Sequence, residues 1–413
     1  MRLLRIIAFI LAAFILVRCG AVAMTFLLQT EEPPAGPIQI GNGNHMHTTT
    51  TSSVNNTTAS STSSEEPTIV TATEAIESES PIKTESPVKT ESAPVTPMEV
   101  FLSEIESNME SLNENFTVSV AGLSKDDIDV DSIQEKFPQL RGFHLKEVFY
   151  TRYMEIEVTL NISMSYRIYT AYRTGQTERL SDMEKEVLDV VLSVIKNNID
   201  PDMSDYEKEL AIHDYITSIC ENDNRTDVPD ESYTPYGVLI LGSAVCEGYS
   251  NTFKLFMDML GIECDIITGT AKAGGHAWNR VSIDGKYYLV DVTWDDPVTE
   301  PDADKRVNYD YFNLTDGVMN ISHTPKKSQT KIANSTKYNY FYYNNLVVSS
   351  IDDFIAVISE SLSKDQNYVY VRCKDIDLHE FVEGREIFKY LSGYTHITYS
   401  FNDDVNTLYL SYD

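Results

Sequence analysis

The dipeptide Asp284-Gly285, inside "GGHAWNRVSIDGKYYLVDVTWDDP" (Gly274 to Pro297), constrains this chain more than any other feature. An Asp-Gly pair between two strand-like runs closes a two-residue hairpin loop. Side chains alternate along a strand, so the loop also decides which residues share a face. Ile283 then faces Lys286, and the same register sets Asp291 opposite Trp278. His276 lies two residues from Trp278 and so shares its face. It becomes a diagonal neighbour of Asp291, about 7–8 Å away at the backbone and less at the side chains. That spacing lets Asp291 hold the imidazole by one ring nitrogen. Asp295 and Asp296 fall beyond the pairing and read as turn or surface acids.

The segment before the hairpin supplies a nucleophile. In "GSAVCEGYSNTFKLFMDMLGIECDIITGTA", Tyr249, Phe253, Phe256, Met257 and Leu260 recur at helical spacing, and Gly261 marks the stop. Cys246 therefore opens a helix, where unpaired backbone N–H groups and the positive end of the dipole favour a thiolate. Gly248 is read as a place where a substrate backbone comes close. Cys220, at the end of the preceding amphipathic helix, and Cys264, opening an apolar strand, read as core or disulfide cysteines. A thiolate, an imidazole and an orienting carboxylate are the parts of a nucleophilic acyl transferase or hydrolase. The backbone N–H of Cys246 is a candidate oxyanion donor. What spacing cannot supply is the approach of Cys246 to His276, for which the helix start must meet this face of the hairpin.

Other residues carry weaker signals. Trp278, Trp294 and Tyr236 are substrate-groove candidates, the two tryptophans being equally readable as core. Tyr233 and Tyr236, just before the nucleophile, are also possible oxyanion donors. His213 lies inside a helix and reads as a packed or capping histidine. His323 follows in a loop, with nothing tying it to chemistry. The eight histidines show no metal-ligand spacing, and no cofactor or metal is expected.

The rest of the chain sets the context. Of 413 residues, 63 are acidic and 32 basic, a formal charge of -31, so nucleic acid is excluded as a partner. Residues 1–28 combine Arg2 and Arg5 with an apolar run from Ile6. They fit a retained anchor, a cleaved signal or a lipid anchor at Cys19. In each case the body lies outside the cytoplasm, anchored at the outer membrane face or secreted, and meets the membrane only through this segment. Residues 29–97 form a Ser/Thr/Pro/Glu-rich linker with the repeat "SPIKTE", "SPVKTE", too poor in apolar surface to fold. Residues 98–175 and 336–413 each read helix, strand, helix, strand, strand, which suggests a diverged duplication flanking residues 176–335. In that central region two amphipathic helices, each preceded by Ser-Asp, give way to strands, an α+β pattern. Outside the cell the four cysteines of the body suffice for two disulfides, although their spacing matches no dense framework.

In that central region "YGVLILGSAVCEGYS", "GHAWN" and "VDVTWDDP", in this order, resemble the transglutaminase-like superfamily, and most of all its bacterial exported members. The likeness runs from about Leu180 to Pro325 and takes in "AIHDYI" and "YDYFNLTD". It implies an α+β, papain-like core in which a cysteine-bearing helix packs on an antiparallel β-sheet, here flanked by two small α/β segments. It also implies catalytic positions at Cys246, His276 and Asp291. The expected enzyme attacks a carboxamide or peptide bond of a protein or peptide substrate, cell-envelope proteins included, through a thioester resolved by an amine or by water. The alternative is an inactive surface binding or adhesion module of the same fold. The sequence lacks the flanking β-sandwiches and recognisable calcium loops of the animal crosslinking enzymes. It leaves the oligomeric state open.

Overall fold

The structure is a computed structural model and describes residues 95–150, 154–272, 274–296, 306–391 and 393–413. The N-terminal apolar segment and all but the last residues of the expected linker lie outside the described residues. No described helix is long and apolar enough to cross a membrane.

The first unit is built from helix α1 (Pro97–Glu110), strand β1 (Asn115–Val118), helix α2 (Val130–Lys136) and strands β2 (Leu140–Phe149) and β3 (Met154–Ile162). Thr96 caps α1 in a reciprocal box with Glu99, and Pro97 occupies the first helical position, where no N–H is needed. Phe101, Ile105 and Met109 of α1 are buried with Val118, Ile156, Val158 and Leu160 of the sheet. The strand order is β1-β3-β2, all antiparallel.

The central region begins with helix α3 (Met164–Thr174), followed by α4 (Asp182–Asn198) and α5 (Asp205–Ile219). Ser181 and Ser204, the serines of the two Ser-Asp pairs, cap α4 and α5 through boxes with Glu184 and Glu207. Short strands β4 (Glu221–Asn222) and β5 (Ser243–Ala244) pair ahead of helix α6 (Cys246–Leu260). Strands β6 (Cys264–Ala271), β7 (Gly274–Ile283) and β8 (Lys286–Val290) follow, then helix α7 (Val292–Asp295), helix α8 (Asp316–Met319) and strand β9 (His323–Pro325). The sheet order is β8-β7-β6-β9, antiparallel throughout. Helix α6 buries Tyr249, Phe253 and Phe256 against the sheet face carrying Val281, Ile283, Tyr288 and Val290. The opposite face holds Ile267, Trp278 and Leu289 under Tyr311, Leu314 and Met319. The fold is thus mixed α+β, with its cysteine-bearing helix on an antiparallel sheet.

After helix α9 (Tyr340–Tyr343) comes strand β10 (Val347–Val348), then helix α10 (Ile351–Ser363), strand β11 (Tyr368–Cys373), helix α11 (His379–Glu383) and strands β12 (Ile397–Asn402) and β13 (Thr407–Tyr412). Ser350 caps α10, as its position before the helical pattern suggests. The sequence "DLHEFVEGREIFKYL" reads as one helix, the second of this segment's pattern, but the structure breaks it. Arg385 takes a left-handed conformation at φ 63°, and only a 3₁₀ turn, Glu386–Lys389, follows. The sheet order is β10-β11-β13-β12. Strands β11, β13 and β12 repeat the order and antiparallel sense of β1, β3 and β2. The shared topology is what a duplication requires, with β10 as an addition in parallel to β11.

Both flanking units are tied to the centre by polar contacts. Asp310 accepts hydrogen bonds from Tyr370 (2.5 Å), Thr407 (2.6 Å) and Asn402 (2.8 Å). From the first unit, Arg141 of β2 pairs with Glu247 of α6 at 3.1 Å.

One buried acid makes the central core sensitive to pH. Glu209 of α5 is fully buried, and Asn313 donates to one of its oxygens at 2.8 Å. Burial outweighs that bond and pushes its carboxyl up from 4.5 to about 8. Such a group binds more protons folded than unfolded. Its contribution is therefore fully favourable below about pH 4.5 and is lost as the pH rises toward 8. Glu209→Gln removes the buried charge. Thermal melts are expected to show a gain of several degrees at about pH 8.5 and little change at about pH 5, each pH unit between the folded and unfolded values being worth about 1.4 kcal/mol.

Candidate active site

The hairpin forms in the register its turn dictates. Asp284 and Gly285 both take left-handed conformations, φ 51° and 68°, as a two-residue type I′ turn needs. The ladder runs from Ile283↔Lys286 to Asn279↔Val290. One step further, Asp291 leaves the strand and becomes the N-cap of α7. Its Oδ1 accepts from the backbone N–H of Thr293 (3.1 Å) and Trp294 (3.2 Å). Its Oδ2 accepts from His276 Nε2 at 2.6 Å.

The His276 imidazole also interacts with the Cys246 side chain, which favours its charged form. Cys246 is the first residue of α6, and no side chain caps that end. The body of α6 packs on the face of β7 that carries Asn279, whose side chain donates to the Ser250 carbonyl at 3.0 Å. His276 and Trp278 belong to the other face. Contact with His276 is therefore made by the first residue of the helix, not by the helix packing over that face. The structure thus brings Cys246, His276 and Asp291 into one chain of contacts.

The electrostatics of this chain are polarised. Burial opposes charge on His276, but the Asp291 carboxylate beside it, helped by Cys246, outweighs burial and pushes its pKa up to about 10. Asp291 is fully buried, which alone would raise its pKa. The adjoining His276 and the hydrogen bonds from His276 and His323 instead hold it well below the usual carboxylate range. Two opposite charges are thereby kept adjacent in a site largely closed to water.

Several sequence expectations are corrected. His323 does not sit in a loop without chemistry. It opens β9, is buried, and places Nε2 3.0 Å from the same Asp291 oxygen that holds His276. Asp295 and Asp296 are not surface acids but are buried. The single turn of α7 carries Asp295 into the core, where its Oδ2 meets His213 Nε2 at 3.1 Å and its Oδ1 accepts from the Tyr311 N–H at 2.8 Å. Asp296 accepts a hydrogen bond from the Tyr249 hydroxyl. His213 is packed, as its helical position suggests. Burial opposes its charge, yet Asp214 and Asp295 on its two nitrogens push it up to about 9. Gly248 serves packing rather than substrate approach, because a Cβ there would lie 2.5 Å from the Ser232 carbonyl and 2.9 Å from Ala244 Cβ.

The groove candidates separate. Trp278 is 1% exposed and belongs to the core beneath the site. Trp294 is half-buried, with its ring 5.5 Å from that of His276 and 4.4 Å from that of His323. Tyr236 has its pKa raised by partial desolvation and by the nearby acid Glu186 of α4. Tyr233 lies under the Arg141 guanidinium, 5.9 Å from its ring centre. Among the described residues, Cys220, Cys246, Cys264 and Cys373 form no disulfide. Donor atoms of His276, Asp291 and His323 lie within 4.8 Å of one another. The carboxylate oxygen sits at hydrogen-bond distance from both imidazoles, so the three side chains form one hydrogen-bonded cluster.

Residues 193–292, which span α6 and the whole hairpin, match the model of the Transglutaminase-like superfamily. The chain carries a transglutaminase-like superfamily domain. This is a family of cysteine peptidases and acyltransferases. The chain is 29% identical over 105 residues to the kyphoscoliosis peptidase of Mus musculus, covering 22% of this chain and 16% of that protein. With the Homo sapiens kyphoscoliosis peptidase it shares 29% over 76 residues, 16% of this chain and 12% of the other. It thus spans under a fifth of these relatives' length. Among solved structures it is similar to a TGase crystal structure at 18% identity, covering 46% of this chain and 53% of that one, with a TM-score of 0.26. A candidate cysteine protease from Cytophaga hutchinsonii matches at 14% identity over 43% of this chain and 71% of that one, TM-score 0.23. With overlaps this low, the fold rests on the elements described above.

The packing at Gly248 can be tested directly. Gly248→Ala forces the Ser232 turn away from the start of α6. Denaturant unfolding is expected to show a loss of about 1–3 kcal/mol, the usual range for overpacking.

Proposed function

We propose that this chain is an exported transglutaminase-like cysteine enzyme that acts on carboxamide or peptide bonds through a thioester. The observation that carries the reading is the unbroken chain from Cys246 through His276 to Asp291, with the thiol at a helix start and the carboxylate buried. His276, raised to about 10, is protonated at neutral pH and favours a thiolate beside it. The Cys246 sulfur attacks the carbonyl carbon, and the carbonyl π electrons move to oxygen. Backbone N–H groups at the start of α6 face the developing charge. Collapse of the tetrahedral intermediate expels the amine, which takes its proton from His276. The acyl group now sits on sulfur. Neutral His276 then takes a proton from the incoming amine or water as it attacks the thioester, and the thiolate leaves. Asp291 holds the imidazole in place throughout. Trp294, over His276 and partly exposed, forms a wall of the acyl site.

The N-terminal apolar segment and the linker support a body held outside the cytoplasm, facing envelope proteins or peptides. An inactive binding module would have no need of a buried charged pair behind a free thiol, and the triad reading is preferred on that ground.

Thiol labelling tests this reading. With an alkylating reagent at about pH 6, mass analysis is expected to find Cys246 modified first, and His276→Ala to slow that labelling at least about tenfold. Labelling that rises only near the free-thiol value of about 8.5, with or without His276, would remove the enzyme reading. Amine incorporation into a protein substrate, set against peptide release, then separates transferase from hydrolase.

A further inference from the structure

His323 is the feature that the proposed chemistry leaves unused. It is buried, on a strand that joins the sheet only through β6, where Gly269 pairs with Pro325. That pairing depends on close approach, since a Cβ on Gly269 would lie 2.1 Å from the Thr324 carbonyl. The ring of His323 is fixed on all sides. Ser322 Oγ meets its Nδ1 at 2.9 Å, and Trp294, Trp278 and Tyr311 surround it at ring distances of 4.4, 5.0 and 5.7 Å. Its one remaining polar atom, Nε2, points at Asp291 Oδ2.

We infer that His323 is a positioning residue of the site, which shares Asp291 Oδ2 with His276 and so limits how tightly the carboxylate holds the His276 imidazole. The inference rests on the triad reading above. The geometry separates two jobs within one carboxylate. Oδ1 fixes its orientation through two backbone N–H groups of α7, independently of either histidine. Oδ2 is left to divide its lone pairs between two imidazole N–H donors. An acceptor that already takes one charge-stabilising bond is a weaker partner for a second. Remove His323, and Oδ2 is committed to His276 alone. A His276 held too tightly would remain protonated and be a poorer acid toward the leaving amine. The charged and titratable groups around this pair, among the described residues, are Cys246 from α6, His276 from β7, Asp291 at the head of α7, His323 from β9 and Tyr311. The Lys272–Asp404 ion pair lies beyond Trp294.

The test reads the His276 Nε2–H proton by NMR of 15N-histidine-labelled full chain at neutral pH. His323→Phe fills the same aromatic pocket without a donor. It is expected to move the His276 resonance downfield, and His323→Gln, which keeps an N–H donor, to return it toward the native position. A merely structural role for His323 would lower the melting temperature and leave that resonance where it is. An unmoved resonance in a folded Phe variant, whose Cys246 still labels in a His276-dependent way, overturns the inference and spares the triad. Loss of His276-dependent labelling in the native protein overturns the triad itself. If the Phe variant does not fold, the native spectrum decides. A second slowly exchanging Nε2–H, assigned to His323, is expected, and an unprotonated His323 Nε2 would refute the assignment.

Discussion

The Asp291 carboxylate is the interaction on which the arrangement depends. A buried charge of this kind costs several kcal/mol unless its oxygens are fully paired. Here they are. Two backbone N–H groups occupy Oδ1 and two imidazoles occupy Oδ2. Each donor comes from a separately determined piece of the fold. The hairpin register supplies His276, the start of α7 supplies the amides, and β9 supplies His323. The carboxylate therefore joins strand β7, strand β9 and helix α7 at one atom pair. The sulfur is reached from there through His276.

A second buried aspartate extends the same logic inward. Asp291, the N-cap of α7, and Asp295 at its end stand four residues apart, and each grips a histidine, His276 and His213 respectively. His213 belongs to α5, so α7 is fastened both to the sheet and to the helical layer. At the rim, the first unit brings Arg141 to Glu247 beside the nucleophile, and the last unit brings Asp404 to Lys272 beside Trp294. The flanking units thus reach the borders of the proposed site.

Local rules made much of this readable from sequence. The Asp284-Gly285 turn fixes the register through chain geometry alone, and so His276 and Asp291 emerged as a pair. The helix starting at Cys246 followed from apolar spacing. What local rules could not reach was set by long-range packing. His323 lies 32 residues from Asp291, and only the short β6–β9 pairing brings it in. Asp295 and Asp296 looked exposed because they follow a strand end. Their burial depends on α7 folding back over the core, which no period in "DVTWDDP" announces. Gly248 carried a true signal, a position without room for a side chain, but the crowding group is Ser232 and not a substrate. The helix at "DLHEFVEGREIFKYL" failed at Arg385, where a left-handed residue interrupts a sound apolar pattern.

The central proposal is that Asp291, acting through His276, holds Cys246 ready as a thiolate. Its most direct measurement is the ultraviolet absorbance of the thiolate across pH, taken as the difference between the native protein and Cys246→Ser, and repeated in an Asp291→Asn background. The Asn background is expected to show less Cys246 thiolate at neutral pH than the native background, because His276 loses the carboxylate that keeps it charged. Equal Cys246 thiolate absorbance in the two backgrounds would contradict the proposal.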